Sequence, residues 1–374
     1  MRNRRIPFPL AGNRRNLDRR RIAIRRVLSL ISAMDASVSH GNDGSKLRRW
    51  LGIAGWLACG SALLVATLWA CGALWFDFPV DALRKPVAIA AGLSAVAASM
   101  MLKPRRRAAV AVAIMVGLVF GWWLSQKPRS DRDWKPEVSR LPRAEINGDR
   151  IVLHGVRDFD YRSEDDFTPA WRTRTLHLSN LQGADIFINY WGSPYMAHPI
   201  ISFDFGEDGR VCFSIETRQE KGEGYSALGG LYRRFELIYV VAEERDVIRL
   251  RTNYRKGEDV YLYRLHAPQV RESFMEYVNA VNALHEEPRW YNAITNNCTS
   301  AIRHQRAAER RSTWDWRMLV NGFGDELLYE RGGIPHSLPF PELKALSKIN
   351  DKARAADQDP DFSSRIRSGL PDWD

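Results

Sequence analysis

The stretch His198-Pro-Ile-Ile-Ser-Phe-Asp-Phe-Gly-Glu-Asp-Gly-Arg-Val-Cys-Phe-Ser-Ile-Glu-Thr217 reads as two β-strands closed by the turn Gly206-Glu-Asp-Gly209. Alternation along the second strand puts Cys212, Ser214 and Glu216 on one face. The hairpin therefore offers the carboxylate of Glu216 to an imidazole at the start of its first strand. Strand-like runs surround it at 150–153, 174–178, 185–190, 235–242, 247–252 and 259–265. Further on, Phe274, Tyr277, Val278, Val281 and Leu284 recur at three- and four-residue spacing, and a second helical stretch follows Cys298. The expected class of this part of the chain, residues 144–374, is α+β, a sheet flanked by helices.

Upstream the character changes. Residues 51–76, 86–102 and 108–124 contain no charged side chain. Each comes close to or exceeds the roughly 20 residues that cross about 30 Å of hydrocarbon, so three transmembrane helices are expected. The net charge of +11 is concentrated here: residues 1–50 carry +10 and the loop 103–107 carries +4, which leaves 126–374 at −3. A near-neutral large domain removes the electrostatic basis for nucleic-acid binding. Positive loops stay cytoplasmic, so a basic cytoplasmic tail (1–50) and an outward-facing C-terminal domain are expected, as in a multi-pass protein of a bacterial inner membrane. The Arg-rich residues 1–33 precede a second methionine, Met34, and read either as a polybasic lipid-facing segment or as sequence upstream of the true start. Residues 125–143, polar with three prolines, read as a linker with little structure of its own.

Two of the four cysteines, Cys59 and Cys71, lie in the first apolar run. Cys298 follows Thr295-Asn-Asn297, residues that cap helices, and precedes a stretch of helical composition. A sulfur at a helix start meets unpaired N–H groups and the positive end of the helix dipole, which favour an anionic nucleophile. Such a nucleophile needs a base and the base an orienting partner; His198 and Glu216 are the candidates, with Asn297 and Tyr291 as supports for an oxyanion. The alternative is structural: Cys212 and Cys298 joined in a disulfide of an envelope scaffold. His154, His177, His266, His285, His304 and His336 show no metal-ligand spacing, and no cofactor is expected.

The blocks Val156-Arg-Asp-Phe-Asp-Tyr-Arg-Ser-Glu164, Tyr190-Trp-Gly192, Ser214-Ile-Glu-Thr-Arg218, Tyr225-Ser-Ala-Leu-Gly-Gly230, Arg249-Leu-Arg-Thr-Asn253, Tyr291-Asn-Ala-Ile-Thr-Asn-Asn-Cys-Thr299 and Asp325-Glu-Leu-Leu-Tyr329 resemble the Lnb-type N-terminal periplasmic domain over roughly residues 134–345. The resemblance implies a papain-like, circularly permuted NlpC/P60-related fold in which the histidine precedes the cysteine. It implies His198, Glu216 and Cys298 as a Cys-His-acid set, and acyl transfer to the amino terminus of lipoproteins, with membrane lipid and lipoproteins as partners. The chain departs from the pattern in placing its apolar helices before the domain. The same chemistry also fits an amidase or peptidase acting on cell-wall peptide.

Overall fold

The computed structural model describes residues 43–373; the basic tail expected over 1–50 lies mostly outside them. The chain divides into two compact units, one holding the described residues up to Cys71 with Ala90–Leu118, the other Gly72–Ile89 with Val119 onward.

Three helices come first: α1 (Asp43–Asp77), α2 (Asp81–Met101) and α3 (Arg105–Ser125). By length and composition, Ser45–Asp77 and Arg105–Ser125 suffice to cross a membrane. By that measure two of the three expected spans are candidates. The middle helix begins with Asp81, Arg84 and Lys85 and carries Pro86 inside it, so its uncharged part is short.

The segment expected to be an unstructured linker is instead packed on the domain. Pro136–Val138 forms a 3-10 turn, Trp134 and Val138 are buried, and the Arg218 guanidinium lies over the Trp134 ring at 4.2 Å. An indole that buries its apolar body while stacking on a cation explains why a proline-containing stretch is held in place.

The domain is built on ten strands: β1 (Arg143–Asn147), β2 (Arg150–Arg157), β3 (Asp160–Tyr161), β4 (Phe167–Thr168), β5 (Trp171–His177), β6 (Gly183–Trp191), β7 (Ala197–Asp204), β8 (Arg210–Arg218), β9 (Glu236–Ala242) and β10 (Glu258–Arg264). Eight form one sheet in the order β1-β2-β9-β8-β7-β6-β10, with β5 also on β2, while β3 and β4 make a separate ribbon. Pairing is antiparallel except for the single β2–β9 contact at Arg157 and Ala242. The hairpin read from the sequence is β7–β8, turning through Gly206–Asp208, with Ser202 opposite Cys212 and Ile200 opposite Ser214.

Both faces of this sheet are covered, which is why its central strands are apolar almost without interruption. On one face Phe203, Phe213 and Tyr239 pack with Phe274, Tyr277 and Val281 of α5 (Val270–Glu286). The Phe274 ring meets Phe203 and Phe205 edge-on at 5.2 and 4.9 Å between centroids, geometry that adds about 0.5–1.5 kcal/mol per pair beyond burial. On the other face, the alternate residues Phe187, Ile200, Cys212 and Val240 pack with Ile349, Phe362 and Ile366 of the C-terminal segment. That segment carries the short helices α7 (Phe340–Leu346), α8 (Asn350–Ala355) and α9 (Phe362–Arg365).

The run 247–252, expected to be a strand, is helical: α4 (Glu244–Arg249) continues into a π-turn over Leu250–Tyr254. Val, Ile and Thr favour strands, but context overrides that preference. A helix lets Asp246 meet Arg157 at 2.7 Å and Arg249 meet Asp357 at 2.8 Å, while Thr252 Oγ1 donates back to the Ile248 carbonyl at 3.0 Å.

Arg367 locks the C-terminal segment in place. Its guanidinium lies 2.6 Å from Glu244 and 2.8 Å from Asp185, and all three side chains are buried. Replacing it by Met would strand two carboxylates in the interior, a change that typically costs about 3–5 kcal/mol. Arg367→Met is therefore expected to lower the midpoint of chemical unfolding sharply, and a midpoint within error of the parent would contradict this account.

Candidate active site

Cys298 is the first residue of α6 (Cys298–Gln305). The helix starts there because Asn297 caps it: its side chain accepts from the Ser300 N–H at 2.8 Å, and Ser300 Oγ accepts from the Asn297 N–H at 2.8 Å, a reciprocal box. Just before it, Asn292 Oδ1 accepts from the N–H groups of Ile294 and Thr295, so the Asn-rich run is a self-bonded turn that fixes the approach to the cap.

His198 lies near the start of β7, opposite Asn189 on β6. It is buried, with the Trp191 ring edge-on at 6.4 Å. Its Nε2 is 2.7 Å from Ser214 Oγ and 3.3 Å from Glu216 Oε1, and Ser214 Oγ donates to the same Glu216 oxygen at 2.6 Å. A hydroxyl that donates to the carboxylate must accept from the ring, so Nε2 carries a proton. That leaves Nδ1 as the ring nitrogen available to Cys298, which lines the same cleft.

The charges reinforce the arrangement. Burial opposes an imidazolium, but Glu216 and Cys298 outweigh it and raise the His198 pKa to about 9. Burial likewise opposes the Glu216 carboxylate, yet His198 and Arg251 hold it well below the usual carboxylate range. Arg251, itself buried, donates to Glu216 Oε1 at 2.7 Å and to the Val247 carbonyl at 2.8 Å.

The structure thus brings His198, Glu216 and Cys298 together in one cleft of about 500 Å³, which Tyr291 also lines. Asn297 contributes differently from the expectation. Its amide is committed on both sides, Oδ1 to the Ser300 N–H and Nδ2 to the Ala293 carbonyl at 2.9 Å, so it builds the helix start and is not aimed at an oxyanion. Beside the sulfur stands instead Asn321, whose Nδ2 donates toward Cys298 Sγ at 3.5 Å while its Oδ1 accepts from the Ala197 N–H at 2.9 Å. No spacing or motif links position 321 to 298, because only the fold brings them together. Ser214 and Arg251 were also silent as site residues, although the shared face of Ser214 and Glu216 was legible.

Both Cys212 and Cys298 are free thiols. Cys212 sits in the apolar cluster with Ile200 and Val240, and Cys298 in the other, with Tyr291 and Ala301. The disulfide of the scaffold alternative is therefore absent. Burial pushes the Cys212 thiol well up, as befits an inert core residue.

The family model of the Lnb N-terminal periplasmic domain matches residues 167–322. Those residues match an Lnb-type periplasmic domain. The resemblance read from the sequence holds over this range, and the matched span contains His198, Glu216, Cys298 and Asn321. No curated protein and no solved structure matches the chain. The match to a periplasmic domain family and two helices long and apolar enough to cross a membrane fit a membrane-associated protein with a periplasmic domain. Among the described residues of the Lnb domain and its flanks, no group of acidic, His and Cys side chains could hold a metal.

The raised imidazole pKa has a consequence for stability. The folded value of about 9 exceeds the ordinary 6.5, so the stabilisation is fully present below about pH 6.5 and is lost as pH rises through about 9. The thermal midpoint of the full chain is expected to fall by a few degrees across that window. Glu216→Gln removes the leading favourable charge and should flatten the slope, and an undiminished slope in that variant would show that another group is responsible.

Proposed function

We propose that the chain is a multi-pass inner-membrane enzyme whose periplasmic domain, a papain-like permuted NlpC/P60 fold, uses Cys298 to form a thioacyl intermediate and passes the acyl group to an amine. The observation that carries this reading is that His198, paired with a carboxylate, lines one cleft with a cysteine at a helix start. His198 takes the proton of Cys298, and the thiolate attacks the ester carbonyl of a lipid. The Cys298 N–H and Asn321 Nδ2 stabilise the oxyanion. As the carbon–oxygen bond breaks, His198 returns the proton to the leaving alcohol. An amine then attacks the thioester, gives up a proton to His198, and leaves as an amide while the thiol is restored; water in its place gives hydrolysis. Glu216, Ser214 and Arg251 hold the ring and its charge throughout.

A lipid donor is supported by the cleft's surroundings, where Tyr225, Leu228, Ile294 and Leu319 stand exposed. Lipoprotein amino termini are the acceptors that the Lnb resemblance implies. Three spans are supported by α2, which leaves Leu93, Val96 and Met100 exposed as a lipid-facing helix does. With the N-terminus cytoplasmic, three crossings put the domain outside.

The test is to incubate the full chain in detergent micelles with a phospholipid bearing an alkyne-tagged acyl chain and to read hydroxylamine-sensitive label on the protein. Label should vanish in Cys298→Ala, fall by about two orders of magnitude or more in rate in His198→Ala, and persist in Cys212→Ala. Label retained in Cys298→Ala would end the proposal, and release of a cleaved muropeptide without lipid labelling would favour the cell-wall amidase.

A further inference from the structure

The cleft has an end that the acyl chemistry does not use. Asn189, Trp191, His198 and Glu258 share one side of the sheet, because Asn189 is opposite His198 in the β6–β7 register and Trp191 is opposite Glu258 in the β6–β10 register. All four line the cleft. Asn189 is only 2% exposed. Its Nδ2 donates to Glu258 Oε2 at 2.6 Å, which fixes the amide with Oδ1 on its other side, and that oxygen has no hydrogen-bond partner among the described residues. A buried acceptor left unpaired costs about 1–3 kcal/mol, so its retention beside a reacting group calls for a ligand.

Charge at this end is also unbalanced. Glu258 and Glu164 face a single cation, Arg255, at 3.6 and 3.2 Å, which leaves the group one negative charge in excess. Arg251 lies within electrostatic reach of Glu258 but is hydrogen-bonded to Glu216, so Glu216, Glu258 and Glu164 stand as three carboxylates against two guanidiniums. An unpaired carbonyl oxygen, a net negative charge and an indole face together match an N–H-rich cation and oppose a phosphate or carboxylate.

We propose that Asn189, Glu258 and Glu164 form a subsite for a substrate group bearing an ammonium, held next to His198 on the side away from Glu216. This rests on Cys298 being the nucleophile and adds which end of the cleft receives the amine. Bound there, the ammonium first gives one proton to solvent, and the free amine lies beside the imidazole that accepts the second as the amide forms and passes it to the departing sulfur.

The subsite can be tested without the natural substrate. Full-length protein in detergent micelles is treated with methanethiosulfonate reagents that are cationic (aminoethyl), neutral (hydroxyethyl) or anionic (sulfonatoethyl), and the rate at Cys298 is read by peptide mass spectrometry. The cationic reagent should react roughly three- to tenfold faster than the neutral one, the scale expected when one unpaired charge lies a few ångströms away in a partly solvated cleft. That ratio should approach one in Glu258→Gln. It should fall partway in Glu164→Gln, a half-exposed position where folding is not at issue. A ratio near one in the parent, a preference for the anionic reagent, or a ratio unmoved by either variant would overturn the subsite while leaving the nucleophile intact. Failure of Cys298 to outpace Cys212 with any reagent would instead remove the nucleophile and the subsite with it.

Discussion

One carboxylate oxygen organises the site. Oε1 of Glu216 receives Ser214 Oγ at 2.6 Å and Arg251 Nη2 at 2.7 Å, and it faces His198 Nε2 at 3.3 Å. A charge so placed, half-buried at the wall of a cleft, is held in its ionised form by counter-charges fixed around it. Arg251 is delivered by an unusual piece of backbone, the π-turn that follows α4. Such turns interrupt the regular helix and re-aim a side chain. The imidazole's tautomer and charge therefore depend on a helix far from it in sequence, which in turn is anchored through Asp246 and Arg157.

The proposed acyl transfer would divide two tasks within the cleft. Its surroundings expose Tyr225, Leu228, Ile294 and Leu319, and its lining includes carboxylates and an unpaired amide oxygen. The sulfur and the imidazole line the same cleft. An enzyme that joins an apolar donor to a polar acceptor needs two such surfaces of opposite character within reach of one nucleophile, because neither surface can serve both ligands without desolvating a polar group against hydrocarbon.

Much of this was legible from local pattern. Alternation in the β7–β8 hairpin placed Ser214 and Glu216 on one face, and the Asn-rich run before Cys298 announced a helix start, since both signals depend only on neighbours in sequence. What failed was long-range. The 247–252 run was misread because the ion pairs that hold it helical involve Arg157 and Asp357, each about a hundred positions away in the chain. The 125–143 stretch was misread because prolines mark a break in regular structure, not an absence of packing, and nothing local to Trp134 reveals Arg218 beneath it. Asn321 was invisible for the same reason. Asn297, by contrast, was noticed for its capping residue type but assigned a chemical duty that its own cap excludes.

The matched region ends at residue 322, yet one whole face of its sheet is roofed by Ile349, Phe362 and Ile366, and Arg367 reaches in to neutralise Glu244 and Asp185. The homologous core is thus not self-sufficient. In any relative that terminates earlier, those two acids must have been lost, or another element must supply a cation and an apolar cover. Sequence drift in the tail is accordingly tethered to two positions in the core, so the three must change in concert.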